Sequence, residues 1–290
     1  MRSALSTQYR KEFNIPAKDD LGALGNRINA ETKQVHDQID TFVTMKFAIA
    51  LRNQRVYRQG LQAFYHIFRH IEIALEREME KDHKYSQIIK DIYKPVLCRT
   101  EPLRKDLMYF YEGQPQKFEN PILPLQIEYA QYILESTKEK PYLLLAYMHV
   151  MYLALFAGVK ILNSQVMKSL RLFPKVKGKS RDDALKEGTN FFTIDVPDTE
   201  ELRAVYKRDY ELQTRNNLSE DIKREIIEES KYIFEMTGRI VKEIEAHNMA
   251  KLQSSVTYQM RNSAHYVITA ILMLSVCYFA KNMIAHILLK

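Results

Sequence analysis

The chain predicts an all-α fold, on three observations. Of its 290 residues only 8 are Gly and 9 Pro, and long stretches are built from Leu, Ala, Glu, Lys and Met, the good helix formers. Apolar residues return every three or four positions through most of the chain, the period of a helix with one buried face. Short alternating strands separated by turn signals are absent from the sequence, which argues against a sheet protein. With 46% hydrophobic residues there is enough apolar material for one large domain or two small ones, and no repeat or low-complexity tract appears.

Residues 1–20 read as a tail, because they lack the apolar stretch of a signal peptide. From "DDLGALGNRINAETKQVHDQIDTFVTMKFAIALRN" a long first helix is expected, with Leu21, Leu24, Ile28, Val35, Ile39 and Val43 on its apolar stripe. His36 lies about one residue's rotation off that stripe, with Thr32 a turn earlier and Asp40 a turn later. A histidine so placed is a hydrogen-bonded core residue, a general base or a metal ligand, and spacing leaves all three open. A second helix covers 59–82, with a charged and solvated end. Within it "HIFRHIE" (66–72) is the one cluster resembling a di-iron carboxylate motif, and it is expected to be a solvated helix edge. Pro95 and Pro102 break 84–118 into short pieces.

"KPYLLLAYMHVMYLALFAGVKILNSQ" (140–165) is apolar almost all round, so a helix buried on most sides is expected, with His149 its only strongly polar residue between Pro141 and Lys160. A basic loop (168–183), the stretch "EGTNFFTIDV" and two capped helices complete a domain over 21–250. After a linker (251–263), residues 264–289 are apolar except for His265, Lys281, Asn282 and His286. Lys281 can snorkel, which brings the stretch to the ~20 residues a bilayer core requires. The expectation is a transmembrane tail anchor with residues 1–262 facing the cytosol.

The formal charge of +7 suits an anionic ligand, an acidic partner or a membrane surface. Nucleic acid is not expected, because basic residues are interleaved with acids and no recognition motif appears. Two cysteines, Cys98 and Cys277, exclude a disulfide framework and a multi-cysteine zinc site.

Four stretches in order, "RINAETKQVHDQIDTF", "YRQGLQAFYHIFRHIEIALEREME", "YLALFAG" and "EGTNFFTIDV", give residues 21–250 a pattern that resembles the haem oxygenase family, most closely its fungal, tail-anchored type. The resemblance implies a single helical domain clamping haem between a proximal and a distal helix. Haem would be both cofactor and substrate, opened with O2 and electrons from NADPH, through a cytochrome P450 reductase-type partner, to biliverdin, carbon monoxide and ferrous iron. The setting implied is the endoplasmic reticulum membrane, and the role release of iron from haem. The family's iron ligand falls on His36, with Asp40 and Thr32 beside it. Propionate-binding positions fall on Arg203 and Lys207, with Tyr206 between them; the family's basic residue seven before the histidine is Asn29 here, with Arg27 nearby as a substitute.

The distal stretch departs from the family's "Y-L-G-D-L-S-G-G". Gly158 matches one glycine, Ala154 and Val159 replace two others, and Leu155 stands where the family has a catalytic aspartate that holds water for proton delivery. A leucine cannot hold water. His149 is the candidate replacement, or else a core histidine. Two other readings follow: a haem-binding or haem-sensing protein that does not degrade haem, and a tail-anchored helical adaptor in which His36 is structural.

Overall fold

The computed structural model describes residues 16–17, 19–120, 123–169, 172–174, 180–253, 269 and 273, without the side chains of 157–163 and 251–253. It divides into two compact units, 1–244 and 245–290. Among the described residues there is no strand. No helix among them is long and apolar enough to cross a membrane. The expected anchor, 264–289, lies outside the described residues apart from two positions.

The expected first helix is two. α1 (Leu24–Glu31) ends and α2 (Lys33–Ala50) begins at Thr32, which has φ −95° and ψ 0°. The Thr32 hydroxyl donates to Ile28 O at 2.7 Å, a back-bond that bends helices. α1 buries Leu24 and Ile28 almost completely, whereas none of the eighteen residues of α2 is buried.

α3 (Gln54–Met79) is the central column, started by Asn53, whose side chain accepts from the Arg55 and Val56 amides. It packs on α5 (Thr100–Phe110) and α6 (Pro124–Glu139), with α4 (Lys84–Ile92) closing its C-terminal end. The 66–72 cluster is not the solvated edge expected, because His66 is 1% exposed and Glu72 9%. Glu72 is spent on structure: it accepts the Arg99 amide at 2.6 Å and the Thr100 amide at 3.3 Å. The described residues bring together no group of three or more His, Cys, Asp or Glu able to hold a metal.

Residues Leu143–Tyr152 are all buried, as their composition predicts. They form α7 (Leu144–Tyr147) and then one wide π turn (Met148–Tyr152), which runs into α8 (Leu153–Lys168). A π turn strands backbone carbonyls, and here tyrosines recover two nearby. From α10 (Thr199–Arg215) Tyr206 donates to Met148 O at 2.7 Å and Tyr210 to Leu145 O at 3.0 Å.

α9 (Arg181–Gly188) starts with a capping box between Ser180 and Asp183. It leads into a 3-10 turn, Asn190–Phe192, held by the fully buried Asp106 of α5. The Asp106 carboxylate accepts the Asn190 amide (2.7 Å), the Asn190 side chain (2.8 Å) and the Phe191 amide (2.8 Å). The chain continues to α10, capped by Asp198, and to the long α11 (Glu220–Gln253).

Candidate haem-binding site

His36 sits in the first turns of α2, its amide bonded to Thr32 O at 2.8 Å. The ring is half exposed, and its only hydrogen-bond neighbour among the described residues is Asp37 Oδ1, 3.5 Å from Nδ1. Asp40, the acid expected to orient the ring, is exposed and makes no hydrogen bond to it. Asp37 is itself held by Lys33, and these two neighbours draw its carboxyl below the usual range, Lys33 contributing most. Nε2 of His36 has no hydrogen-bond partner among the described residues, which leaves a lone pair for a ligand to take.

The surface around His36 is apolar and open. Val35, Ile39, Phe42 and Val43 are half-buried and not packed on the main core; only Phe47 and Ala50, further along α2, reach it. Fully burying such a side chain is worth about 1.5–3 kcal/mol relative to full exposure, so a ligand on α2 could gain only the fraction that is still exposed. α11 borders the same face. Phe234 meets the His36 ring edge-on at 5.3 Å, and Lys242 lies 5.7 Å from the Phe42 ring, with Lys46 at 5.5 Å. Between them Gly238 lets the helices close: a Cβ there would come within 2.5 Å of Ile39 Cδ1. Sequence reading missed this stripe, although Gly238 is the one glycine inside a 34-residue helix and a packing reason was to be expected.

A flat apolar group bearing a metal fits this surface. An unpartnered imidazole nitrogen on an uncovered apolar face is what haem iron and porphyrin require, and a neutral imidazole binds iron without adding charge. Thr32, by contrast, is 2% exposed with its hydroxyl turned into α1, so its visible work is the helix bend.

On α10, Arg203 is partly exposed, lies 3.7 Å from Glu200, and has a buried Nε with no partner among the described residues. Tyr206 is fully buried, its hydroxyl committed to the π turn. Lys207 lies close enough to His149 to oppose that ring's protonation.

His149 is 5% exposed. Its Nε2 donates to Asn29 Oδ1 of α1 at 3.1 Å, and its ring packs 5.2 Å from Tyr210. Burial, followed by Lys207, lowers its pKa to about 3, so it stays neutral. Gly25 makes room for it: a Cβ there would lie 2.9 Å from His149 Cε1. Asn29 and His149 therefore tie α1 to the π turn, in the place where the resemblance put a basic residue. Arg27, the nearby substitute, is bound to Glu220 at 2.5 Å and lies 3.8 Å from Glu31. Leu155 is 6% exposed and belongs to the core, while Ala154 beside it is exposed. Gly158 falls within α8, but its surroundings lie outside the described residues. Phe192 touches Phe47 of α2 at 6.3 Å, and its turn also packs on α8, so one short segment braces both helices.

Fold and site thus define an all-helical protein with a histidine on an open apolar helix face. The haem oxygenase family model matches residues 22–243, and the chain belongs to that family. A Saccharomyces cerevisiae protein named "Heme-binding protein HMX1" is 37% identical over 84% of this chain and 82% of its own length. "Heme oxygenase 2" of Synechocystis is 26% identical over 77% of this chain and 83% of its own. The crystal structure of Synechocystis heme oxygenase-2 with heme and NO has a TM-score of 0.65 at 24% identity, over 79% of this chain and 88% of that one, which speaks for the fold alone.

Proposed function

We propose that this protein is a haem oxygenase, with haem bound against α2 through His36. The observation that carries the reading is the His36 nitrogen without a hydrogen-bond partner among the described residues, on a helix whose apolar face stays partly exposed. Haem, when bound, supplies the iron at which O2 is activated, and with electrons from NADPH through a reductase it would be opened to biliverdin, carbon monoxide and ferrous iron. The chain's own residues do the rest. His36 holds the metal, with Asp37 the carboxylate nearest its other ring nitrogen and Asp40 one turn on. Arg203 and Lys207 offer cations to the two propionates and so fix the in-plane orientation. Leu155 and Phe156 keep their part of α8 dry.

The reading includes a membrane-anchored protein, on the endoplasmic reticulum with its helical domain toward the cytosol. Its support is the apolar composition of 264–289. Fusing those residues to a fluorescent reporter tests it, and a diffuse reporter would reject it.

The activity is tested with the full chain in detergent, given haem, reductase, NADPH and O2. Loss of the Soret band with appearance of biliverdin is expected. A second reading, haem binding without degradation, is favoured by one observation: the buried, apolar Leu155 where the family has its aspartate. A stable Soret band under turnover conditions would select it, and no Soret band at all would reject both.

A further inference from the structure

α2 has a second exposed face, which a ligand at His36 does not use. Residues of a helix step round it by roughly 100° each, so Met45, nine residues after His36, points to the opposite side. Met45 is 53% exposed and Ile49, one turn on, 54%. Thr41, Ala48 and Arg52 are exposed along the same stripe. A molecule held at His36 lies against the other side and leaves this stripe in water. The other exposed large apolar side chains among the described residues stand singly, as Ile73, Ile127 and Leu212 do, which is ordinary for a protein surface. Met45 and Ile49 form a pair.

Charge around the pair is one-sided. From Thr41 to Ile71 the sequence contains no Asp or Glu, in a chain that has 36, while Lys46, Arg52, Arg55, Arg58 and Arg69 fall within it. Arg52 follows the last residues of α2, and Arg55 sits in the first turn of α3, just past the Asn53 cap. Arg58, a turn further, lies 4.5 Å over the Tyr111 ring and donates to Phe110 O at 3.3 Å, which fixes its charge at this corner. A cation after a helix C-terminus also favours the helix dipole, but that asks for one charge and for no exposed apolar pair.

We propose that the α2–α3 corner is a lipid-contacting surface. Met45 and Ile49 enter the boundary between headgroups and acyl chains, and Arg52 and Arg55 meet anionic headgroups. A protein partner needs about 800 Å² on each side, more than two side chains on one stripe supply. A lipid surface sets no such minimum, because two apolar side chains flanked by cations suffice for a reversible contact. The contact rests on neither the haem reading nor the anchor. An anchor would only make it more frequent, by holding the domain close to the lipid.

The test exploits the absence of tryptophan from the chain, which lets a single introduced one report its own surroundings. Met45→Trp, Ile49→Trp and, as a control on α10, Leu212→Trp are made in the full chain. Each is mixed with vesicles of phosphatidylcholine, alone or with phosphatidylserine, and with brominated versions of both. At positions 45 and 49 the emission is expected to shift to the blue, and to be quenched by brominated lipid, when phosphatidylserine is present. At 212 neither change is expected. Adding Arg52→Gln and Arg55→Gln to Met45→Trp should lower the ratio of docked to free domain about tenfold or more, and salt should lower it too. Flotation with the vesicles is scored separately, because it decides the anchor and not this contact. Probes at 45 and 49 that behave like the one at 212, whether or not the chain floats, would overturn the proposal. So would emission already blue-shifted without vesicles, which would give the stripe to another segment of the chain or to a second copy.

Discussion

α2 carries an apolar stripe and the stretch Leu143–Tyr152 is apolar almost all round, yet the protein treats their apolar residues oppositely. The latter is buried at every residue and braced by Tyr206 and Tyr210 where its π turn strands carbonyls. α2 buries nothing, and touches the core only through Phe47 and Ala50. One wall is held by the fold. The other is held by the Thr32 bend, by Phe192 and by Phe234 and Gly238 of α11, and leaves its apolar side chains partly exposed. Local stability follows buried contacts, so α2 is the segment a bound molecule can stabilise most.

The sharpest test of that contrast is His36→Ala. Turnover and imidazole-type haem absorption should be lost while the far-UV circular dichroism and melting temperature stay near wild type, since the ring makes one long polar contact. Added imidazole should restore part of the spectrum. A large drop in melting temperature would show that α2 is packed as firmly as the other wall.

Next comes Arg203→Glu with Lys207→Glu. Haem titration should show weaker binding, with each sheltered charge-assisted contact worth about 1.5–3 kcal/mol and less where water screens it, as at partly exposed Arg203. Unchanged affinity and a single unchanged biliverdin isomer would make the pair an ordinary solvated face.

On the braced wall, Tyr206→Phe should cost about 1–3 kcal/mol in urea unfolding, because Met148 O is left buried without its donor. Haem affinity should move far less. A reversed ranking, affinity falling more than stability, would mean that the two walls do not divide the work.

The smallest effect expected is on pH dependence. His149 and His66 are buried neutral, with pKa values lowered to about 3 and about 4 chiefly by desolvation. Each therefore stabilises the fold above its unfolded pKa near 6.5, and that contribution is lost as pH falls through the folded value. Asp106 works the other way. Burial raises its pKa to about 7, so its contribution is present below pH 4 and lost as pH rises through 7. Other buried groups pull both ways, His70 with these histidines and Glu72, Glu211 and Glu229 with Asp106. The readout is therefore a difference: from pH 6.5 to pH 4 the melting temperature should fall less in His149→Gln than in wild type. Equal falls in the two proteins would contradict it.

Much of the fold could be read from the chain. The helical period, the buried 143–152 run and the caps at Asp198 and Ser219 are local features, and local features are written in adjacent residues. The break at Thr32 was not visible, because a threonine inside a helical pattern bends it only when its hydroxyl turns back. At the site, His36 was legible as a candidate. Its environment was not, since Phe234, Gly238 and Lys242 come from two hundred residues away. His149 shows the same limit: its partners Asn29, Gly25 and Tyr210 lie on two other helices, and no spacing within its own segment names them.

The Asp106 carboxylate has a kinetic consequence. It closes a loop of 84 residues onto the Asn190–Phe192 turn, and a closure of that span must wait until the intervening helices are in place. Phe191 and Phe192 can reach the central column and α2 only after that loop shuts. The turn is therefore expected to close late in folding. The Asn190 and Phe191 amides, both held by that single carboxylate, should act as its clock: their hydrogen exchange records how often the loop reopens while the rest of the helical domain stays folded.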